Sequence, residues 1–302
     1  MRSSVRIFLL FWGPLLAMQS QGETLGEMQT LYREMQPRLA HSAFQRELVL
    51  DSHETSDRLS GDIYAAIDAS LASLELVNRN PQRWCEILLL LSNTKNCVVE
   101  NQYETPHLQM RMGTKGPQEL ASTTPMRFRF QTSAPKAPVL ETQLSASTGP
   151  MGTKDGILRV YAIALGEKKS FVHLHYSYRS SLAGRLATGV YLQTLGRGKV
   201  GFTKEPSASE EPNRPADAHW VGGVRGIIER NTMRYFMDLS CALQFAGTDA
   251  PAQRFAQMAP YWYDETERYP QQLHDMPRTD YLEMKRAEYG RLPPLQESGE
   301  RP

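Results

Sequence analysis

The sequence predicts an α+β fold in which one-sided antiparallel strands face a long apolar helix near the C-terminus. Between residues 97 and 179, segments separated by turn residues alternate apolar and polar side chains, the period of half-buried strands. Residues 222–246 carry an apolar stripe at helical spacing. Two short helical patterns at 69–91 stand between early and late strands. The 302 residues are 40% apolar and 22% charged, which excludes disordered, collagen-like and coiled-coil chains. A formal net charge of +1 removes the overall electrostatic footprint of a nucleic-acid binder.

The chain opens with Met1, Arg2 and Arg6, an apolar run over 7–18, and Ser20-Gln21-Gly22 as small residues three and one before a cut. This is the pattern of a secretory signal peptide at 1–22. The run is broken by Pro14 and ends at Gln19, short of the roughly 20 apolar residues a membrane span needs. No cysteine stands at the cut to carry a lipid. The expected compartment is periplasmic or extracellular, and losing Arg2 and Arg6 turns the net charge to −1, too little to hold the chain on an anionic bilayer.

Residues 23–45 place Leu25, Met28, Leu31, Met35 and Leu39 at spacings of three and four, an amphipathic helix packed outside the sheet. A strand pair follows at 46–68, with its turn at 58–61. Leu71, Leu74 and Val77 form one short helix; Asn80-Pro81 breaks it, and Pro81 opens the next, which carries Trp84, Ile87, Leu88 and Leu91. The turn at 92–96 folds the chain back, bringing Cys97 beside Cys85, and an oxidising compartment lets that pair persist as a disulfide. No Cys-x-x-Cys is present, and Cys241 in an apolar helix reads as a buried free thiol.

Then come the strands: Leu108, Met110 and Met112; Met126, Phe128 and Phe130; Leu140, Thr142 and Leu144; residues 157–165; and 170–179, with turns at 149–152 and 166–169. Residues 182–195 fit helix or strand, and 205–217 read as a surface loop. The helix at 222–246 carries Val224, Ile228, Tyr235, Leu239, Ala242 and Ala246 along its stripe, widened by Met233, Phe236 and Met237. Arg225 with Glu229 and Arg234 with Asp238, four apart, read as surface ion pairs on its polar side. Residues 248–302 form an aromatic-bearing helical appendage with a helix at about 279–289 and a frayed end at 293–302.

This order of elements, with the Asn80-Pro81…Trp84-Cys85 and 224–236 segments, resembles the START-like, helix-grip superfamily of hydrophobic-ligand-binding and cyclase proteins over 46–247. The resemblance implies an antiparallel sheet curled around the last helix and a cavity between them for a lipid, sterol or aromatic molecule. On the inner sheet face and the helix it points to Met110, Met112, Phe128, Phe130, Leu174, Tyr176, Tyr178, Met233 and Met237 as ligand-lining residues. Methionines suit such a lining, being flexible and polarisable. A slip of one register position would turn any of these strands over.

Chemistry-bearing patterns are sparse. His173 and His175 share one face of a strand, about 7 Å apart, and a metal would need a third ligand such as His107 or Glu104. Gly196, Gly198 and Gly201 spell Gly-x-Gly-x-x-Gly, but residues 202–206 and a loop follow where a dinucleotide site needs a helix N-terminus. Arg159 and Tyr161 share a strand face that could be inner or outer. The sequence therefore assigns no catalytic set, metal centre or cofactor. It supports an exported carrier for a lipid or other hydrophobic small molecule, with transient membrane contact and no nucleic-acid partner. The competing readings are a cyclase- or hydrolase-like enzyme using His173 and His175, and an envelope interaction protein whose aromatics at 261–269 meet a partner.

Overall fold

A computed structural model describes residues 23–180, 198–206 and 218–292. Eight antiparallel strands form one sheet: β1 (Leu48–Glu54), β2 (Arg58–Ile67), β3 (Thr94–Glu100), β4 (His107–Met112), β5 (Thr124–Thr132), β6 (Leu140–Thr148), β7 (Thr153–Ala164) and β8 (Ser170–Ser180). Their order is β1-β2-β8-β7-β6-β5-β4-β3. Strands β3 to β8 run as consecutive antiparallel neighbours, and β8 closes back onto β2. The helices α2 (Leu71–Asn78) and α3 (Pro81–Leu89) carry the chain from β2 to the far edge at β3.

The register sets one inner row of Ile63, Leu174, Val160 and Thr142 across β2, β8, β7 and β6, all buried. Asn80 caps α3 by accepting from the amides of Gln82 and Arg83, and Pro81 occupies the first turn, where its missing N–H is no loss. The Trp84 indole donates to the Asn78 carbonyl at 3.0 Å. The expected disulfide joins Cys85 of α3 to Cys97 of β3, and Cys241 is a buried free thiol.

The long helix α4 (Gly223–Gln244) lies against β1, β2 and β8. At its closest approach the sheet has Gly61, where a Cβ would stand 2.2 Å from the Thr232 hydroxyl. On the opposite face of the sheet, α1 (Leu25–Ala40) opens with a Thr24–Glu27 capping box and seats Met28 and Leu39 against Val49, Tyr161, Ile163 and Phe171. Arg38 clamps Asp51 with two hydrogen bonds of 2.8 and 2.6 Å.

Several sequence expectations need adjusting. Strand β2 begins at Arg58, so the first hairpin turns at 55–57, where the Thr55 amide donates to the Arg58 carbonyl at 2.9 Å. Strand β7 starts at Thr153 and holds a bulge between Lys154 and Ile157. The ambiguous stretch at 182–195, the expected signal peptide at 1–22, the expected frayed end at 293–302 and most of the 205–217 loop lie outside the described residues. Lys204–Pro206 (β9) pairs with Ala218–Trp220 (β10) at the ends of that loop.

The polar side of α4 is a larger correction. Glu229, Arg234 and Asp238 are buried and bonded to other elements instead of forming surface pairs along the helix. Glu229 accepts from Ser52 and from the amides of Phe202 and Thr203, while the Trp262 indole donates to Asp238. What covers this side is the C-terminal segment, folded as α5 (Pro251–Thr266), α6 (Pro270–Leu273) and α7 (Arg278–Tyr289). Phe255, Met258, Trp262, Leu273, Tyr281 and Met284 join the same core as the sheet. Of the aromatics offered as a partner-binding patch, Trp262 and Tyr263 are buried and Tyr261 and Tyr269 are half-buried, Trp262 stacking on Tyr281 with centroids 5.2 Å apart.

Candidate functional site at one end of the gripped helix

Burial of the inner face is uneven. Ala65, Leu140, Ala162 and Val172, nearest α2 and α3, are closed off completely. At the other end β4, β6 and β8 finish and β5 and β7 begin. There Met112 and Met126 on one side, and Tyr176 and Tyr178 on the other, remain half-exposed. Tyr235 of α4 joins the second group, its ring 4.9 Å from Tyr176, whose ring is 5.7 Å from Tyr178.

Burial pushes the Tyr176 hydroxyl far above the usual phenol range, and the further contributions come from Tyr235 and Tyr178, both phenols. Burial and then Asp238 raise Tyr235 as well. Both remain protonated hydrogen-bonding groups at any physiological pH. Of the nine residues expected to line a ligand, Met112, Tyr176 and Tyr178 stand at this end. Met110, Phe128, Phe130, Leu174, Met233 and Met237 are buried in the continuous core. Met126 and Tyr235 were visible in the strand alternation and the helix stripe, but nothing in the sequence says which inner residues stay uncovered.

Two hollows open elsewhere. One of about 370 Å³ is bounded by Glu23, Thr24, Leu25, Ser133, Pro138, Val139 and Glu141; one of about 220 Å³ is bounded by Gln131, Thr132, Ser133, Glu141 and Gln143. The second takes in Thr132, which pairs with Thr142 of the inner row, and neither includes Met112, Met126, Tyr176, Tyr178 or Tyr235.

His173 and His175 project from the outer face, beneath α1. Both imidazoles meet the same oxygen, Asp62 Oδ1, His173 through Nε2 at 2.9 Å and His175 through Nδ1 at 2.8 Å. Glu23 approaches His173 Nδ1 at 3.4 Å, and Tyr64 stacks on the ring with centroids 4.7 Å apart. Burial opposes charging His173, but Asp62 and Glu23 outweigh it and raise the imidazole to about 9. Burial likewise opposes the Asp62 carboxylate, and the two imidazoles overcome it and hold the acid well below its usual range. The cluster is an ion-paired seat for α1 on the side of the sheet away from α4. His107 lies on β4, four strands from β8, and bonds the Thr105 carbonyl. Among the described residues no group of three His, Cys, Asp or Glu could hold a metal ion. Arg159 and Tyr161 are also on this outer face, bonded to each other at 3.1 Å. Gly198 has a left-handed φ of +79°, and a Cβ on Gly201 would press into Glu229 and Val221, so these glycines serve a turn and a close contact.

An antiparallel sheet packed on a long helix near the C-terminus, with two short helices leading from β2 to the edge strand β3, is the helix-grip fold. No family model matches the chain. No curated protein matches it. The solved structures similar to it include a point mutant of norcoclaurine synthase from Thalictrum flavum (12% identity, 47% of this chain and 91% of that one, TM-score 0.33). A STAR-related lipid transfer protein from Xanthomonas axonopodis is 6% identical over 65% of this chain and 93% of that one, with a TM-score of 0.38. Human StAR-related lipid transfer protein 5 is 6% identical over 58% and 93%, with a TM-score of 0.29. The assignment of the fold rests on strand order and helix placement.

Proposed function

We propose that the protein is an exported binding or transfer protein for a hydrophobic small molecule or lipid, held between the sheet and α4 at the end flanked by Met112, Met126, Tyr176, Tyr178 and Tyr235. One observation carries this reading: these side chains, gathered where the sheet meets one part of α4, keep accessible surface beside an inner face that is mostly buried. Apolar transfer from water supplies the affinity, at about 25 cal/mol per Å² before the costs of association. Methionines adapt to an irregular ligand, and the neutral phenols offer hydrogen bonds to one polar group on it. The Cys85–Cys97 bridge supports an oxidising compartment, in keeping with the signal peptide expected from the sequence.

The test is uptake of an environment-sensitive apolar fluorophore, read together with native mass spectrometry of the freshly purified protein. Saturable uptake, or a co-purified lipid, that falls at least tenfold in Met126→Trp supports the reading. A folded protein with no uptake and no bound molecule contradicts it. The enzyme reading loses its residues, because His173 and His175 face away from α4 and are tied to Asp62.

A further inference from the structure

The hollows of about 220 and 370 Å³ adjoin, sharing Ser133 and Glu141. Together they form a trough on the outer face of the sheet, from Gln131 and Gln143 at one end to Glu23, beside the start of α1, at the other. The larger hollow adds the apolar walls of Leu25, Pro138 and Val139.

The hydrogen bonds along the trough have a fixed direction. Gln131, Gln143 and Arg159 stand opposite one another across β5, β6 and β7. A guanidinium only donates, so the 2.7 Å bond from Arg159 Nε turns the Gln143 amide oxygen toward it. The Gln143 nitrogen then donates to the Gln131 oxygen at 3.5 Å. This leaves the Gln131 nitrogen, on an exposed side chain, as a donor with no acceptor among the described residues. Glu141 supplies the acceptor beside it: its carboxylate comes no nearer than 3.6 Å to Arg159 Nε and takes no hydrogen bond among the described residues. The Glu141 amide donates to Ser133 Oγ at 3.1 Å, which leaves the Ser133 hydroxyl hydrogen for another acceptor. At the far end Glu23 Oε2 is buried without a hydrogen-bond partner, and so is His173 Nδ1, 3.4 Å from the other Glu23 oxygen. A buried acceptor with nothing to accept is costly, and the hollow that Glu23 borders is where a donor can enter.

We propose that this trough binds a neutral saccharide, with one sugar ring in each hollow. The edge of a sugar ring presents hydroxyls that donate and accept, matching the Gln131 amide, the Ser133 hydroxyl and the Glu141 carboxylate. Its face presents C–H groups, matching Leu25, Pro138 and Val139. A hydroxyl donating to Glu23 Oε2 satisfies that oxygen. Each of the two carboxylates already has a basic side chain beside it, His173 or Arg159, so the ligand is recognised by its hydroxyls and not by a charge. An acidic sugar would meet both carboxylates and be repelled. The site lies on the face of the sheet away from α4 and is independent of the apolar site there.

The test is titration calorimetry of the full chain with maltotetraose, cellotetraose, chitotetraose and tetragalacturonate. Melting temperature does not serve, because sugars at high concentration stabilise folded proteins by exclusion from their surface. The expected result is saturable heat with at least one neutral tetrasaccharide and none with tetragalacturonate. Binding should weaken about tenfold or more in Gln131→Ala and in Glu141→Gln, while uptake of the apolar fluorophore stays at the parent level in both. Gln131 is exposed, so its variant is the one best able to stay folded. No heat with any neutral tetrasaccharide, equal strength for tetragalacturonate, or binding kept at parent strength by either variant overturns the site.

Discussion

Asp62 holds two imidazoles on one carboxylate oxygen, and His173 also faces Glu23, the residue before the cap of α1. The His173 imidazole is raised in the folded protein from an ordinary 6.5 to about 9. Its stabilising effect is therefore complete below about pH 6.5 and disappears as pH rises through about 9. Unfolding free energy should fall across that window in the parent, and His173→Gln should flatten the slope; an unchanged slope would assign the alkaline loss to other groups. A second residue-scale prediction concerns Gly61. Gly61→Ala places a methyl on Thr232 and should cost about 1–3 kcal/mol in denaturant unfolding, because β2 and α4 must separate to admit it.

At the scale of elements, the disulfide and the buried ion clusters fix helices to the sheet. Cys97→Ala should lower stability by about 2–3 kcal/mol, as expected for a loop of this length, measured against the parent with and without reductant. Lys95, Lys285 and Glu288 are enclosed together, the two lysines also donating to the carbonyls of Ser92, Leu91 and Thr94. Glu288→Ala leaves two buried ammoniums without their carboxylate and should cost about 3–5 kcal/mol. The strands, α2, α3 and the centre of α4 were legible because their apolar residues keep one period and their breaks fall at Asn80-Pro81 and Gly247. Helix α5 was not. Its buried set includes Arg254 and Thr266, and Pro260 interrupts it, so the stripe is hidden until the partners Glu86 and Asp238 are known. The charged residues of α4 misled for the same reason: spacing four apart suits a surface pair, and only the fold shows each reaching a different element.

At the scale of the whole molecule, the C-terminal helices complete the core that the sheet begins, covering the side of α4 that faces away from it. Removing 248–302 should give an aggregating or molten chain in circular dichroism and gel filtration, since Asp238 and Cys241, which meet Trp262 and Met258, would lose their cover; a soluble, cooperatively folding truncation would contradict that. The inner face was legible from alternation alone. Its unevenness was not, because the uncovered end depends on where α2, α3 and α4 come to rest. That end is the centre of the functional account, and titration with an apolar fluorophore tests it most directly. The account predicts saturable binding by the parent and a loss of at least tenfold in Met126→Trp, with the melting temperature nearly unchanged. Equal binding by both proteins, or none by a folded parent, would contradict it.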